Sequence, residues 1–237
     1  MSMENKNTKI LWLIVLVLII IGVYVYTSQN DDEMDADAMM EKNTMTFFIT
    51  SENPGTGANL GGLAGADAHC QALANSVGAG NEMWRAYLSA TETETEAAVN
   101  ARDRIGSGSW HNFNGELLAN NVEELHGDNN PISKEFALTE KGEQVNGRGD
   151  TPNVHDILTG SNADGTLAIE EGDTTCSNWT SDSEDGSAAV GHHDRVGIDD
   201  SAPMKSWVSS HGSRGCSLEN LNSTGGGGLL YCFAFNE

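Results

Sequence analysis

Positive charge is scarce in this chain of 237 residues. Lysine and arginine number 12 against 35 aspartates and glutamates, so the formal net charge is −23. From residue 45 onward, 9 cations face 28 carboxylates, which leaves a net charge of −19. Such a surface repels nucleic acid, heparin-like polyanions and anionic lipid. We therefore expect no nucleic-acid partner and no heparin binding.

Motifs of the common hydrolases are also missing. The chain has no Gly-x-Ser-x-Gly nucleophile elbow and no His-Glu-x-x-His zinc motif. Ser209, Ser210 and His211 are adjacent, but no pattern joins them to an orienting carboxylate. The sequence therefore predicts a protein that is not an enzyme.

Cysteine is absent from the first 69 residues and then occurs four times, at Cys70, Cys176, Cys216 and Cys232. Four cysteines allow three pairings. One of them, the nested pairing of Cys70 with Cys232 and Cys176 with Cys216, would tie the two ends of one domain together. Disulfides persist in oxidising compartments, so the pattern indicates a domain outside the cytoplasm. Oxidised cysteines would also exclude thiol catalysis.

The chain has one long apolar run. Ile10 to Tyr26 comprises 17 residues without a charge, just enough as a helix to cross a bilayer core of about 30 Å. Lys6 and Lys9 precede the run and several carboxylates follow it, which predicts a cytoplasmic N-terminus and a C-terminal part outside the cell. The predicted organisation is a cytoplasmic tail (1–9), a transmembrane signal-anchor helix (10–26), an acidic flexible stalk (27–44) and an extracytoplasmic domain (45–237).

A cleaved signal peptide is the alternative for this segment. Its apolar core would span roughly 7–15 residues and end near a small-x-small cleavage site. The nearest such site, Ala36-Asp37-Ala38, lies far downstream. We therefore expect a single-pass protein of the cell membrane with its domain at the cell surface.

From residue 45 onward, short apolar segments alternate with long polar loops. Ala66, Cys70, Leu73 and Val77 fall on one face of a helix that ends near Gly78. Alternation predicts a C-terminal strand over 229–235 with two apolar faces, which is typical of a central strand. Further predicted elements are strands over 46–50, 84–89, 155–158, 175–180 and 188–192, and a short helix over 117–125. The expected class is α+β, rich in loops.

The order of these segments resembles the endostatin domain of collagens XV and XVIII, a variant of the C-type-lectin-like fold. The resemblance covers about residues 46 to 236. Its motifs are Asp67-Ala68-His69-Cys70-Gln71, Trp84-Arg85-Ala86-Tyr87-Leu88-Ser89, Val99-Asn100, Cys176-Ser177-Asn178-Trp179-Thr180, Gly215-Cys216 and Leu230-Tyr231-Cys232-Phe233. The stretch also looks like bacterial extracytoplasmic lectin-like domains. The resemblance implies the nested disulfide pairing.

The chain departs from these relatives in three respects. It lacks the arginine-rich heparin surface of animal endostatins. It lacks their histidines near the start of the domain, since only His69 precedes Cys70 at close range. It also lacks the Glu-Pro-Asn and Trp-Asn-Asp motifs of calcium-dependent sugar binding, offering only Thr151-Pro152-Asn153. Neither heparin binding nor sugar binding of the calcium-dependent kind is therefore expected.

Histidines and aspartates nevertheless suggest a metal site. His192-His193-Asp194 is the leading candidate for zinc, with His155-Asp156 and His211 as completions. Adjacent strand residues point to opposite faces, so His192 and His193 should not share one ion. Asp194, Asp199 and Asp200 could supply oxygen ligands to calcium, although their spacing is not that of an EF-hand. The alternative for both groups is that they bind no metal: one histidine packs beneath the loops, and the other histidine and the aspartates are solvated.

The resulting functional hypothesis is a membrane-anchored adhesion or binding module. Its long polar loops between about residues 106 and 228 would recognise a glycan or a cell-surface protein. Candidate contact residues are Trp110, Asn153 and Trp207, through stacking and hydrogen bonding. The alternatives are a metal-dependent extracytoplasmic hydrolase that uses the 192–194 region, and a structural component of the cell envelope.

Overall fold

A computed structural model describes residues 17–18, 45–169 and 172–236. The predicted tail and stalk lie outside the described residues, as does the predicted transmembrane segment except for Val17 and Leu18, which are helical. Among the residues described, no helix is both long and apolar enough to cross a membrane. The segment Asn43–Glu237 is one compact unit.

The domain is a six-stranded sheet with a two-stranded ribbon and a few helices. The sheet order is β1-β8-β5-β6-β7, with β2 also paired to β8, and β3 pairs with β4. The strands are β1 (Phe47–Ile49), β2 (Met83–Ala86), β3 (Trp110–His111), β4 (Leu117–Ala119), β5 (Asp156–Leu158), β6 (Ala189–His192), β7 (His211–Gly212) and β8 (Gly226–Phe235). The helices are α1 (Gly62–Ser76), α2 (Val122–Leu125) and α3 (Leu218–Thr224). The α+β class is confirmed.

Strand β8 is the centre of the fold. It pairs antiparallel with β1 and β2 and parallel with β5. Because side chains alternate along a strand, Leu230 and Cys232 pack into one apolar core while Tyr231 and Phe233 pack into a second core on the opposite face. The prediction of a central strand with two apolar faces is confirmed.

Helix α1 covers the first of these cores. Ala66, Cys70 and Leu73 are buried, which confirms the predicted helical face. The helix gives way to Gly78, whose φ of 77° is the left-handed conformation that glycine adopts readily after a helix. The backbone N–H of Gly78 donates to the carbonyl of Asn75 at 3.2 Å.

Two disulfides link the domain, and the nested pairing is confirmed. Cys70 on α1 bonds Cys232 on β8, 162 residues apart, and Cys176 bonds Cys216, 40 residues apart. In both pairs the Cα atoms are separated by 5.7 Å, an ordinary spacing for a disulfide. All four cysteines lie in the core beneath α1.

Two predicted elements are wrong. The expected helix over 117–125 is strand β4 followed by the single turn α2, because Asn121 caps Glu124 and starts the helix only there. The expected strand over 175–180 is a left-handed turn, with φ between 48° and 65° at all four residues of Cys176–Trp179. Left-handed backbone costs roughly 1–2 kcal/mol per residue.

Side-chain hydrogen bonds hold this unusual turn in place. Thr175 Oγ1 accepts from the backbone N–H of Asn178 at 3.1 Å, and Asp173 accepts from the N–H groups of Thr175 and Ser177. The Asn178 amide bonds Thr91 in both directions, at 2.7 and 3.1 Å. The turn is therefore fixed by side-chain hydrogen bonds, which the alternation of apolar and polar residues in the sequence does not report.

Candidate metal centre

Three neighbouring strands bring the candidate residues together at one end of the sheet. Asp156 on β5 and His192 on β6 are direct cross-strand partners. His211 on β7 pairs with Val190, so it lies diagonal to His192, within reach of a long side chain. His155 immediately precedes β5 and joins the group from the chain entering that strand.

Three histidine side chains converge on the carboxylate of Asp156. Its Oδ1 atom lies 3.2 Å from Nε2 of His155, 3.3 Å from Nε2 of His192 and 3.6 Å from Nε2 of His211. The Nε2 atoms of His192 and His211 are 3.1 Å apart. The rings of His155 and His192 stack with their centroids 4.2 Å apart. Three ring nitrogens and one carboxylate oxygen thus face one another.

The opposite nitrogen of each ring is already engaged. Nδ1 of His155 lies 3.1 Å from Oδ1 of Asp194. Nδ1 of His192 lies 2.9 Å from the carbonyl oxygen of Met204, and Nδ1 of His211 lies 3.1 Å from that of Gly212. These oxygens can only accept, so each Nδ1 carries a proton, and Nε2 is bare wherever the ring is neutral.

Asp194 is fixed as an ionised acceptor. Burial acts to raise its pKa, but hydrogen bonds from His155 and from the backbone N–H groups of Arg148 and Val196 outweigh burial and hold the pKa well below its ordinary value. A carboxylate that accepts from a histidine in this way sets the ring's tautomer and orientation, as behind many metal-ligating histidines.

With neutral rings, the centre of the cluster contains only acceptors. Both carboxylate oxygens of Asp156 are buried without a hydrogen bond, because the imidazole contacts fall short of hydrogen-bond geometry. His155, Asp156 and His192 are at most 2 % exposed. A buried carboxylate without a partner is costly. The cluster therefore requires positive charge, either as protons on the rings or as a metal ion.

Charge at short range shifts the ionisation of this group. Burial acts to raise the pKa of Asp156, but His192 and His211 outweigh burial and lower the pKa when their Nε2 atoms carry protons that face the carboxylate. The carboxylate of Asp156 in turn raises the pKa of His211. His155, Asp156 and His192 place one donor atom each within 4.8 Å of one another and could hold a metal ion.

Other predicted metal residues lie apart from this centre. His193 is buried separately, with Nε2 3.3 Å from the carbonyl oxygen of Asn146, and desolvation lowers its pKa to about 4. Asp199 accepts from the backbone of Ser201, and the exposed Asp200 pairs with Lys205 at 2.7 Å. His192 and His193 point apart, as strand geometry predicts.

Two of the three predicted contact residues are buried, and the third lies at the surface. Trp110 and Trp207 are 0 % and 3 % exposed, so both rings pack in the second core and neither offers a face at the surface. Stacking of either ring on a ligand would require the core to open. Asn153 does line a surface cavity of about 600 Å³, together with Asn222 and Ser223.

From the sequence, Asp156 and His211 were expected only as additional ligands of a site centred on residues 192–194. The structure makes Asp156 the hub and gives Asp194 the supporting position behind His155. Register was the missing information, since the pairing of β5 with β6 is what brings Asp156 to His192.

The sequence matches no protein-family model and no curated protein. The functional interpretation therefore rests on the geometry of the centre and on the chemistry of its donors.

Proposed function

We propose that this chain is a zinc-binding, non-catalytic recognition domain that works outside the cytoplasm. The observation that carries the proposal is the convergence of three Nε2 atoms and one carboxylate oxygen, with every Nδ1 held by a separate acceptor. The ligands would be His155, Asp156, His192 and His211.

Distances and donor chemistry favour zinc over calcium. Zinc bonds imidazole nitrogen at about 2.0–2.1 Å, which puts neighbouring corners of a tetrahedron about 3.3–3.4 Å apart. Four of the six separations between the donor atoms, the three from Asp156 Oδ1 and the one between His192 and His211, run from 3.1 to 3.6 Å. Calcium takes 6–8 oxygen ligands, whereas this cluster offers one carboxylate and three nitrogens.

The number of ligands favours stabilisation over catalysis. Structural zinc sites have four protein ligands, whereas catalytic sites leave one position to water. Three of the four proposed ligands are almost completely buried, and the fourth, His211, is 30 % exposed. In this role the ion would join the ends of β5, β6 and β7 and so fix the loops that leave them.

Disulfides and sequence order support the wider assignment. Two native disulfides are typical of proteins outside the cytoplasm. The α+β class and the nested bonds agree with the endostatin-like, C-type-lectin-like resemblance, which we retain as a proposal. Under it, the apolar run at 10–26 anchors the domain at the cell surface, and the loops between about 106 and 228 bind a glycan or a protein.

Metal analysis of the purified full-length protein tests the zinc centre. We expect about one zinc per chain, lost in His155→Ala and His192→Ala and kept in His111→Ala, a histidine outside the cluster. Zinc-free protein with unchanged thermal stability after chelation would overturn the proposal in favour of a proton-filled cluster.

Screening of the same protein against glycans, matrix proteins and envelope components tests the recognition role. We expect a ligand whose binding weakens when the metal is removed, because the loops at the cluster would lose their support. Failure to bind any of these classes would contradict recognition without affecting the zinc centre.

A further inference from the structure

His211 differs from the other three proposed ligands in how firmly it is held. Its side chain is 30 % exposed, against at most 2 % for the others. It lies on the two-residue strand β7, at the edge of the sheet. Its Nδ1 is held only by the carbonyl of the next residue, Gly212, whereas the His155 ring is fixed by the buried carboxylate of Asp194. It also makes the longest contact to Asp156, at 3.6 Å.

A cavity opens on the same side of the centre. Its volume is about 620 Å³, and of the four proposed ligands only His211 lines it. The cavity extends over β7 and the segment that precedes it, with Ser206, Ser209 and Ser210 in its wall. A molecule that enters the cavity would therefore reach the metal from the side of its least constrained ligand.

The lining selects a small ligand with little charge. Its lining residues are mostly alanine, serine and threonine, which offer side-chain hydroxyls and backbone polar groups, and the lining contains no lysine or arginine. Its one carboxylate, Asp173, already accepts hydrogen bonds from the N–H groups of Thr175 and Ser177. The net charge of −19 beyond residue 44 repels polyanions. A single carboxylate fits best, because it neutralises the ion and is a natural oxygen ligand of zinc.

We propose that His211 is an exchangeable metal ligand, and that a small monocarboxylate from the cavity takes its coordination position. The inference rests on the proposed zinc centre, since exchange requires an ion. The coordination position that faces the cavity would then be the point at which the recognition domain binds its ligand. His155, Asp156 and His192 hold the ion throughout, while the imidazole of His211 moves toward solvent.

Cobalt(II) in place of zinc makes the exchange visible, because the visible absorption of cobalt changes with its ligands. The full-length protein is loaded with cobalt and titrated with acetate, with acetamide as the uncharged control of equal size. We expect acetate to change the spectrum and acetamide to leave it unchanged. In His211→Ala the competing imidazole is gone. If His211 is detached from the metal in at most about a tenth of the wild-type molecules, acetate should bind the variant about tenfold tighter or more.

His111→Ala is the matched control and should titrate like the wild type. Cobalt uptake with a spectrum that acetate does not move would contradict the exchange and leave the metal centre standing. Acetate binding no tighter in His211→Ala than in the wild type would also contradict it. Failure of the wild type to take up cobalt or zinc would instead remove the proposed function.

Discussion

Two regions of this domain are held together by different means. In the core beneath α1, one disulfide joins α1 to β8, the other joins the left-handed turn to the segment before α3, and side-chain alternation along β8 decides which of its residues face this core. At the ends of β5, β6 and β7, the contacts are between histidines and one carboxylate. The first region is linked covalently, whereas the second requires positive charge, either as protons on the rings or as a metal ion.

The difference lies in what each region requires of its surroundings. Apolar side chains and disulfides are stable in a dry core without further partners. A buried carboxylate is stable only if opposite charge compensates its lost hydration. The polar cluster should therefore respond to metal and to neighbouring charge, while the disulfide-linked core should not.

The largest effect is expected from the outer disulfide. Replacing Cys70 and Cys232 together by alanine frees a span of 162 residues and should lower the free energy of unfolding by about 4–5 kcal/mol. Replacing Cys176 and Cys216 frees 40 residues and should cost about 3–4 kcal/mol. Denaturant titration of both variants measures the difference. A larger loss from the inner pair would show that the left-handed turn, and not chain entropy, dominates.

Removal of the hub of the polar cluster should have the next largest effect. Asp156→Asn takes away the only anionic ligand, so the protein should lose its metal and the stability that the metal confers, about 3 kcal/mol when the ion is present at 100 times its Kd. Thermal unfolding with and without a chelator measures this. The wild type should respond to the chelator and the variant should not. The exposed Asp199→Asn serves as the control and should behave like the wild type.

Loss of support behind a ligand should have a smaller effect. Asp194→Asn removes the carboxylate that orients His155 but leaves all four proposed ligands in place. Zinc affinity should fall by about 10- to 100-fold while the fold is retained. Competition with a chromophoric chelator gives the affinity. Unchanged affinity would mean that Asp194 serves only to accept from the backbone N–H groups of Arg148 and Val196.

Acid sensitivity away from the cluster should be the smallest effect. Desolvation lowers the pKa of His126 from 6.5, and its Nε2 lies 2.6 Å from the hydroxyl of buried Tyr87. The unfolded state therefore binds this proton more readily, so His126 lowers stability as pH falls below about 6.5. His126→Gln should flatten that part of the stability curve. An identical slope in the variant would assign the acid response to other groups.

Much of the disulfide-linked region could be predicted from the sequence. The alternation of 229–235 and the helical spacing of Ala66, Cys70 and Leu73 each report burial directly, because one residue's environment follows from its neighbours in the chain. The nested pairing was implied by the endostatin-like resemblance, because four cysteines by themselves allow three pairings. The burial of Trp110 and Trp207 could not be predicted, because a two-residue strand and a loop are too short or too irregular to show a periodic apolar pattern.

The polar cluster could be predicted only in part. Histidines and aspartates identified the right segments, but which atoms meet depends on the register of β5 against β6 and on the edge position of β7. The turn at Cys176–Trp179 was misassigned because side-chain hydrogen bonds fix its left-handed backbone. Asp173 accepts one of these bonds from the nearby Ser177, whereas the bond between Thr91 and Asn178 joins residues far apart in the chain and depends on tertiary structure.

X-ray absorption at the zinc edge of the purified protein tests the zinc centre most directly. The account predicts one zinc ion with three imidazole nitrogens and one oxygen at about 2.0–2.1 Å. Absence of zinc, or a first coordination sphere containing sulfur, would contradict it.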